Sequence, residues 1–206
     1  MKKEIPLGLY GITAENFANG KTNIECVKQM IEGGIKIIQY REKYKNIKEK
    51  VKEAKEISKL CRENGVVFIV NDSVEIALLC DADGVHIGQD DMDIEDVRAL
   101  LGDDKIIGLS THSTFQALEA KERGVDYIGV GPIFKTTTKD TPPVGFSYLE
   151  WVVENLDIPF VAIGGIKEHN IDEIVKRGAK RICLVSEIVG SEDIVKKIES
   201  LKSKMN

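Results

Sequence analysis

A short polar stretch of this chain carries residue types that can hold a phosphate. Residues 136–139 are three threonines and a lysine, and they follow an apolar segment, 127–130, that leads into a glycine and a proline. Threonine hydroxyls, backbone N–H groups and an ammonium suit this anion because it needs several converging donors and fixed positive charge. A solvated polar loop has the same composition, so the interpretation depends on the residues that accompany it.

An amide and two cations stand at alternate positions of a second segment. Residues 35–43 read as a strand, and side chains of a strand alternate between its faces, so Gln39, Arg41 and Lys43 share the face of Ile37. One alternative is that the two cations pair with carboxylates at the rim. A hydrogen bond to a ligand better explains an inward-pointing Gln39 in mid-strand. The set predicts a site for an anionic ligand.

Carboxylates follow two further strand candidates. Asn71 and Asp72 end one apolar run, and Asp90 and Asp91 come shortly after the next. Two carboxylates, completed by waters and phosphate oxygens, suit Mg²⁺, which takes few protein ligands. The alternatives are a helix cap at Asp72 and a turn at Asp90 or Asp91. Beside the two cations the metal interpretation is favoured, because two cations and Mg²⁺ form the environment that a pyrophosphate needs.

Smaller polar residues end the later strand candidates. We interpret Ser110 as a hydrogen-bond donor to a ligand and His112 as structural support, because no third group completes a nucleophilic triad. Gly165 follows the seventh strand candidate, and Val185 and Ser186 end the eighth. In (β/α)8 barrels the loops after these two strands often bind phosphate through backbone N–H groups. These positions predict a second anion site.

Strand and helix patterns alternate along the whole chain and carry these polar residues. Apolar runs predict strands at 7–13, 35–43, 66–70, 83–87, 105–109, 126–130, 159–163 and 181–185. Helical spacing predicts helices at about 22–32, 47–64, 74–79, 94–101, 113–124, 148–155, 171–177 and 194–201. Thr22 with Glu25, and Ser113 with Gln116, fit capping boxes. A helix-ending glycine followed by a strand recurs, which indicates a repeated βα unit.

The repeated unit predicts the fold class, a single-domain (β/α)8 TIM barrel over residues 1–206. The length is near the lower limit for this fold, so the loops must be short. The alternative, an open doubly wound sheet, would have a Gly-x-Gly-x-x-Gly turn after the first strand, and the sequence has none. A barrel active site lies at the carboxyl ends of the strands, where these polar residues fall.

Composition is that of an ordinary cytoplasmic enzyme. Apolar residues make up 42% of the chain and charged residues 31%, and we find no bilayer-spanning run or signal peptide. A net charge of −5 without a basic block argues against nucleic acid as a partner. The cysteines lie far apart and are predicted to be buried. We expect small-molecule partners and no membrane partner, and a homodimer is compatible with the sequence.

In their order and spacing, these motifs resemble the thiamine phosphate synthase family across nearly the whole chain. The motifs lie at residues 39–43, 71–72, 83–91, 108–112, 131–139, 163–166 and 185–186. The resemblance implies a (β/α)8 barrel that uses Mg²⁺. It also implies a reaction that joins 4-amino-2-methyl-5-hydroxymethylpyrimidine diphosphate to a thiazole phosphate and releases thiamine phosphate and pyrophosphate.

The resemblance also implies a role for each matching position. The pyrimidine diphosphate would be contacted by Gln39, Arg41, Lys43, Asn71, Ser110 and Lys139. The Mg²⁺ would be bound by Asp72 and Asp91. The thiazole phosphate would be held by Thr136, Thr138, Gly165, Val185 and Ser186. Lys139, Ser110 and Arg41 are then the predicted catalytic residues.

One position departs from the family pattern, because Ser73 stands where an arginine usually follows Asn-Asp. The change removes one positive charge near the predicted metal. A thiazole tautomerase, a related barrel, generally lacks the complete diphosphate cluster and the Thr-x-Thr-Lys loop that are present here. A phosphate-sensing barrel without catalysis would not need two carboxylates for a metal, and a sugar-phosphate isomerase would need a general base near the threonines.

Overall fold

The computed structural model of the chain describes residues 2–136 and 141–205. In this part of the chain, eight parallel strands form a closed barrel in chain order, and β1 completes the barrel by pairing with β8. The strands are β1 Gly8–Ile12, β2 Ile37–Tyr40, β3 Val67–Asn71, β4 Gly84–Ile87, β5 Ile106–Thr111, β6 Tyr127–Val130, β7 Phe160–Ile163 and β8 Arg181–Cys183. The predicted (β/α)8 barrel is confirmed.

Helices follow the strands and surround the barrel. They are α1 Asn23–Glu32, α2 Ile47–Glu63, α3 Val74–Leu79, α4 Ile94–Leu101, α5 Thr114–Glu122, α6 Gly145–Asn155, α7 Ile171–Val175, α8 Val185–Val189 and α9 Ile194–Ser203. Residues Glu15–Phe17 form one turn of 3-10 helix. None of the helices in the described ranges is long and apolar enough to cross a membrane.

Side-chain caps fix where several helices begin. Thr22 accepts a hydrogen bond from the N–H of Glu25, whose carboxylate accepts from the N–H of Thr22, so this capping box is confirmed. Ser113 caps α5 by accepting from the N–H of Gln116. Its predicted box is incomplete, because the Gln116 side chain accepts instead from the N–H of His112.

Two predicted strands extend at least two residues beyond the observed carboxyl ends of β2 and β8. β2 ends at Tyr40, because the N–H and the carbonyl of Arg41 both bond to the hydroxyl of buried Thr13. β8 ends at Cys183, because Val185 already begins the short helix α8, which the sequence pattern does not reveal. Arg41 and Lys43 therefore lie in the loop after β2, and Ser186 lies in a helix.

Alternation along the strands separates two apolar regions. Outward side chains pack under the helices and form the larger core, whereas a second cluster fills the barrel interior. The interior cluster consists of Ile5, Tyr10, Ile12, Ile37, Val67, Ile69, Ile106, Tyr127, Val161 and Cys183. Five of its members, Tyr10, Ile12, Tyr127, Val161 and Cys183, also line the cavity at the carboxyl ends of the strands. All four cysteines are buried and unbridged, as predicted.

Candidate active site

A cavity of about 310 Å³ opens at the carboxyl ends of the strands. Predicted site residues that line it are Gln39, Arg41, Lys43, Asn71, Asp72, Asp91, Ser110 and Val185. They come from the ends of β2, β3 and β5, from the loops after β2, β3 and β4, and from the start of α8. The closed barrel therefore brings together residues that are distant in the sequence.

The loop after β2 holds the two cations of the cavity. Thr13 fixes Arg41 from both sides, because its hydroxyl accepts from the Arg41 N–H at 2.8 Å and donates to the Arg41 carbonyl at 3.1 Å. Neither Arg41 nor Lys43 forms an ion pair with another described residue. The alternative that both pair with carboxylates at the rim is therefore not met in the described ranges, and both charges can act on a ligand.

An ion cluster supports the same loop from below. Lys45 lies 2.7 Å from a carboxylate oxygen of Glu53 and also pairs with Glu15 and Glu42. Buried Asn23 donates to both Glu42 and Glu53 at 3.1 Å. Burial raises the pKa of Glu42, but hydrogen bonds from the Tyr44 N–H and from Asn23, together with Lys45, outweigh it and lower the pKa overall.

Two carboxylates lie close together in the same cavity as the cations. Asp72 has φ 62°, in the left-handed region that few non-glycine residues adopt, and its N–H donates to the carbonyl of His86 at 2.8 Å. Asp91 accepts from the N–H of Gly88 at 2.6 Å. Desolvation and the nearby Asp91 carboxylate raise the pKa of Asp72, and Lys43 partly opposes this shift. Repulsion of this kind favours a bound cation.

Of the described residues predicted for the second anion site, Val185 lines the cavity, whereas Thr136, Gly165 and Ser186 do not. The loop after β6 packs against the loop after β7, since the N–H of Phe134 donates to the carbonyl of Gly164 at 2.9 Å. Gly165 has φ 64°, and a Cβ there would lie 2.5 Å from the Lys135 carbonyl oxygen, so glycine allows this close approach. Thr136, a predicted ligand of the thiazole phosphate, is the next residue after Lys135.

Two side chains from the segment after β7 contact Gly165 and Ser186. Asn170 donates to the carbonyl of Gly165 at 3.3 Å, and Lys167 donates to the Ser186 hydroxyl at 3.1 Å. The predicted ligand residues Thr138 and Lys139 lie outside the described residues, so their positions stay predictions. His112 bonds the carbonyl of Gly131 through Nδ1 and thus supports the start of the central loop.

Three residues of the cavity were missed by the sequence analysis. Tyr10, His86 and Tyr127 line its floor. Their strands, β1, β4 and β6, look ordinary in the sequence, because one aromatic side chain in an apolar run is typical of a core. One feature of the sequence could have indicated them, namely the glycine at position 108 within strand β5. A Cβ at Gly108 would lie 2.2 Å from the Tyr127 ring and 2.5 Å from His86 Nδ1, so only glycine leaves space for both side chains.

The closed barrel and its polar cavity define a (β/α)8-barrel enzyme. Residues 9–188 match the family model for thiamine monophosphate synthase. The chain is 60% identical to the thiamine-phosphate synthase of Pelotomaculum thermopropionicum, over 95% of this chain and 90% of that protein. It is 56% identical to the same enzyme of Caldicellulosiruptor bescii, over 94% and 89% of the two chains. The chain belongs to the thiamine monophosphate synthase family.

A solved structure agrees with this assignment. Thiamine phosphate pyrophosphorylase from Pyrococcus furiosus superposes with a TM-score of 0.90 at 39% identity and covers 97% of this chain and 95% of its own. A 3-hexulose-6-phosphate synthase superposes with a TM-score of 0.70 at 17% identity, which shows only that the fold is shared.

Proposed function

We propose that this chain transfers the pyrimidinylmethyl group of 4-amino-2-methyl-5-hydroxymethylpyrimidine diphosphate to the nitrogen of a thiazole phosphate. The products are thiamine phosphate and pyrophosphate. Family membership supports the reaction, and one observation supports the site: two cations without ion pairs among the described residues share a cavity with two adjacent carboxylates. A neutral substrate would need neither pair. Cytoplasmic location and homodimer formation stay predictions from the sequence.

The donor set of the cavity fits Mg²⁺. Asp72 and Asp91 are hard oxygen ligands, and a bound cation would relieve the repulsion by Asp91 that, after burial, raises the pKa of Asp72. A second carboxylate group, formed by Glu15, Glu42 and Glu53, is already paired with Lys45 and fits a metal less well. When bound, Mg²⁺ would supply charge neutralisation for the leaving diphosphate.

The residues of the chain would bind, orient and stabilise the leaving group. Arg41 and Lys43 would contact the diphosphate, and Lys139 would join them from the central loop. As the bond between the methylene carbon and the diphosphate oxygen breaks, its electron pair leaves with the oxygen, and the cations stabilise the added charge. Gln39, Asn71 and Ser110 would hold the pyrimidine diphosphate by hydrogen bonds.

The second substrate would complete the reaction from the neighbouring loops. Thr136, Thr138, Gly165, Val185 and Ser186 would hold the thiazole phosphate so that the ring nitrogen faces the methylene carbon. The nitrogen lone pair then forms the new C–N bond. Because the nitrogen is already in place, the positive carbon is captured before water reaches it. No protein nucleophile takes part in this scheme.

Incubation of the purified protein with both substrates and Mg²⁺ tests the proposal. We expect thiamine phosphate and pyrophosphate in equal amounts, and neither product when one substrate is omitted. Isomerisation of the thiazole phosphate alone would point instead to a tautomerase. Binding of both ligands without turnover would point to a phosphate-sensing barrel.

A further inference from the structure

A row of five polar side chains crosses the floor of the cavity. The Gln39 amide nitrogen donates to the Tyr10 hydroxyl at 3.0 Å, and the Tyr10 and Tyr127 hydroxyls are 2.8 Å apart. His86 Nδ1 lies 2.9 Å from the Tyr127 hydroxyl, and His86 Nε2 lies 3.0 Å from the Ser110 hydroxyl. Both ends of this row, Gln39 and Ser110, belong to the proposed site for the pyrimidine substrate. The three side chains between them have no assigned role.

Each hydroxyl of the row carries one proton, and if every buried proton is to have an acceptor, the hydrogen bonds of the row all point the same way. Burial raises the pKa of Tyr10 and of Tyr127, which keeps both phenols neutral and able to donate. Tyr10 accepts from Gln39, so its own proton finds an acceptor in the row only at Tyr127, and the proton of Tyr127 then finds one only at His86 Nδ1. His86 consequently carries its proton on Nε2 and donates it to Ser110.

This order fixes what each end can offer to a ligand. Ser110 accepts from His86, so its own proton is left to donate into the cavity. Gln39 uses its amide nitrogen on the Tyr10 and Tyr127 hydroxyls, so its carbonyl oxygen is left to accept. An isolated glutamine can exchange these two roles by turning its amide. Here that turn would also require two phenols to rotate and His86 to move its proton to Nδ1.

We propose that Tyr10, Tyr127 and His86 are positioning residues that hold Gln39 as an acceptor and Ser110 as a donor, and that this polarity selects an aminopyrimidine over an oxopyrimidine. The proposal rests on the proposed function for the identity of the ligand. An amino group donates hydrogen bonds, and the ring nitrogen beside it accepts one. In the oxo compound the oxo group accepts and the ring N–H beside it donates. The oxo group would then face the Gln39 carbonyl, an acceptor, and the ring N–H would face the Ser110 hydroxyl, a donor.

Two strand positions beside this row are glycines, and the absence of their side chains leaves space for the rings. Gly108 admits the Tyr127 ring and His86, and a Cβ at Gly129 would lie 3.3 Å from the His86 ring. The His86 and Tyr127 ring centroids are 5.3 Å apart, and those of Tyr10 and Tyr127 are 6.1 Å apart. Packing as well as hydrogen bonding therefore holds the three rings in place.

The histidine tautomer tests the polarity without any substrate. The chain has three histidines, and a His86→Gln variant identifies the signal of His86 in a ¹⁵N spectrum of histidine-labelled protein. We expect the neutral His86 ring to show a protonated Nε2 and a bare Nδ1. A protonated Nδ1 in the wild-type protein would mean that the row points the other way, and it would overturn the proposal.

A matched pair of phenol deletions tests the selectivity. Tyr127→Phe interrupts the row but keeps its shape, whereas Tyr148→Phe deletes a buried hydroxyl whose partner is Thr111, outside the row, at 2.7 Å. We expect Tyr127→Phe to lower the preference for the amino over the 4-oxo pyrimidine diphosphate by about 10-fold or more, measured as a ratio of kcat/KM values. Tyr148→Phe should keep the wild-type ratio.

Three further results distinguish failure of the selectivity claim from failure of the hydrogen-bond polarity or of the proposed function. An unchanged ratio in Tyr127→Phe, or an equal loss in both variants, would overturn the selectivity claim. If the wild-type protein made no thiamine phosphate although His86 carried its proton on Nε2, the proposed function would fail while the polarity stood. If Tyr127→Phe did not fold, the ¹⁵N measurement on the wild-type protein would still decide the polarity.

Discussion

At the scale of single residues, two carboxylates of the cavity lie close enough to repel each other. Asp72 is held at a backbone conformation that costs roughly 1 kcal/mol for a non-glycine residue, and its carboxylate lies near that of Asp91. Such local strain and repulsion lower stability in the free protein. They are explained if both carboxylates serve a cation that binds with the substrate.

Replacement of Asp91 tests this explanation. A raised folded-state pKa gives stability that is lost as pH rises through that pKa, so ionised Asp72 destabilises the free protein at pH 7. Asp91→Asn removes the repulsion, and its amide oxygen can still accept from Gly88. We expect it to raise the free energy of unfolding at pH 7, without Mg²⁺, by up to about 1 kcal/mol in denaturant titrations.

The same variant should lose most of its turnover with Mg²⁺. Asp103→Asn, in an exposed loop, serves as the control and should change neither quantity. Full activity of Asp91→Asn at low Mg²⁺ would show that the metal is bound elsewhere.

Lys43 should act on one substrate only. Lys43→Ala removes a cation from the cavity, and we expect the Kd of the pyrimidine diphosphate to rise about 10-fold, because a hydrogen bond to a charged group contributes about 1.5 kcal/mol. The Kd of the thiazole phosphate should change little. Calorimetric titrations of both ligands would measure this, with Lys48→Ala on the outer face of α2 as control. Equal weakening of both ligands would contradict the division into two anion sites.

At the scale of elements, the loop between β2 and α2 is held by the ion cluster around Lys45. Burial lowers the pKa of Lys45, but its bonds to Glu15 and Glu53 outweigh this and raise the pKa overall. The lowered pKa of Glu42 gives stability above its usual value of 4.5, and the raised pKa of Lys45 gives stability below its usual value of 10.5. The cluster should therefore support the loop between these limits.

Lys45→Met should weaken both the fold and the diphosphate site. It leaves three carboxylates without their cation, and we expect a loss of about 2 kcal/mol in the free energy of unfolding at pH 7. The loss should shrink as pH falls below about 4, where the carboxylates are protonated. Lys59→Met removes an exposed ion pair with Glu63 and should cost under about 0.5 kcal/mol. An effect of Lys45→Met as small as that of Lys59→Met would show that the cluster contributes little.

The elements also show where sequence patterns stop being informative. Alternation predicted the strands and their polar ends well, because inward and outward positions differ in composition. It extended β2 to Lys43, because the pattern cannot show that Thr13, far earlier in the chain, takes over the backbone bonds of Arg41. It missed α8, because Val185, the first residue of α8, continues the apolar run of β8 and was read as the end of that strand.

At the scale of the whole molecule, barrel closure creates what no single segment contains. The fold and most of the cavity could be predicted, because strand ends carry polar residues in regular order. The row from Gln39 to Ser110 could not, because it joins side chains of β1, β2, β4, β5 and β6. Their contacts depend on the strand order of the closed barrel, and each tyrosine taken alone is typical of an ordinary core.

Closure of the barrel also brings the last helix, α9, against the first helix, α1, where it contributes to stability and not to catalysis. Ile198 of α9 is fully buried, and a Cβ at Gly33, the residue that ends α1, would lie 2.8 Å from its side chain. This contact joins the last helix to the first at the side of the barrel where β8 meets β1. We expect Ile198→Ala to lower the free energy of unfolding by about 2 to 4 kcal/mol, because it leaves a cavity in the core.

Below its unfolding temperature, Ile198→Ala should keep the wild-type KM for both substrates, since the active cavity is lined from inside the barrel. Leu118→Ala is the matched control, because Leu118 is 44% exposed and its truncation should cost under about 0.5 kcal/mol. Thermal unfolding and steady-state kinetics on the same samples would separate the two effects. A raised KM at unchanged fold content would mean that the junction of α9 and α1 also positions the carboxyl ends of the strands.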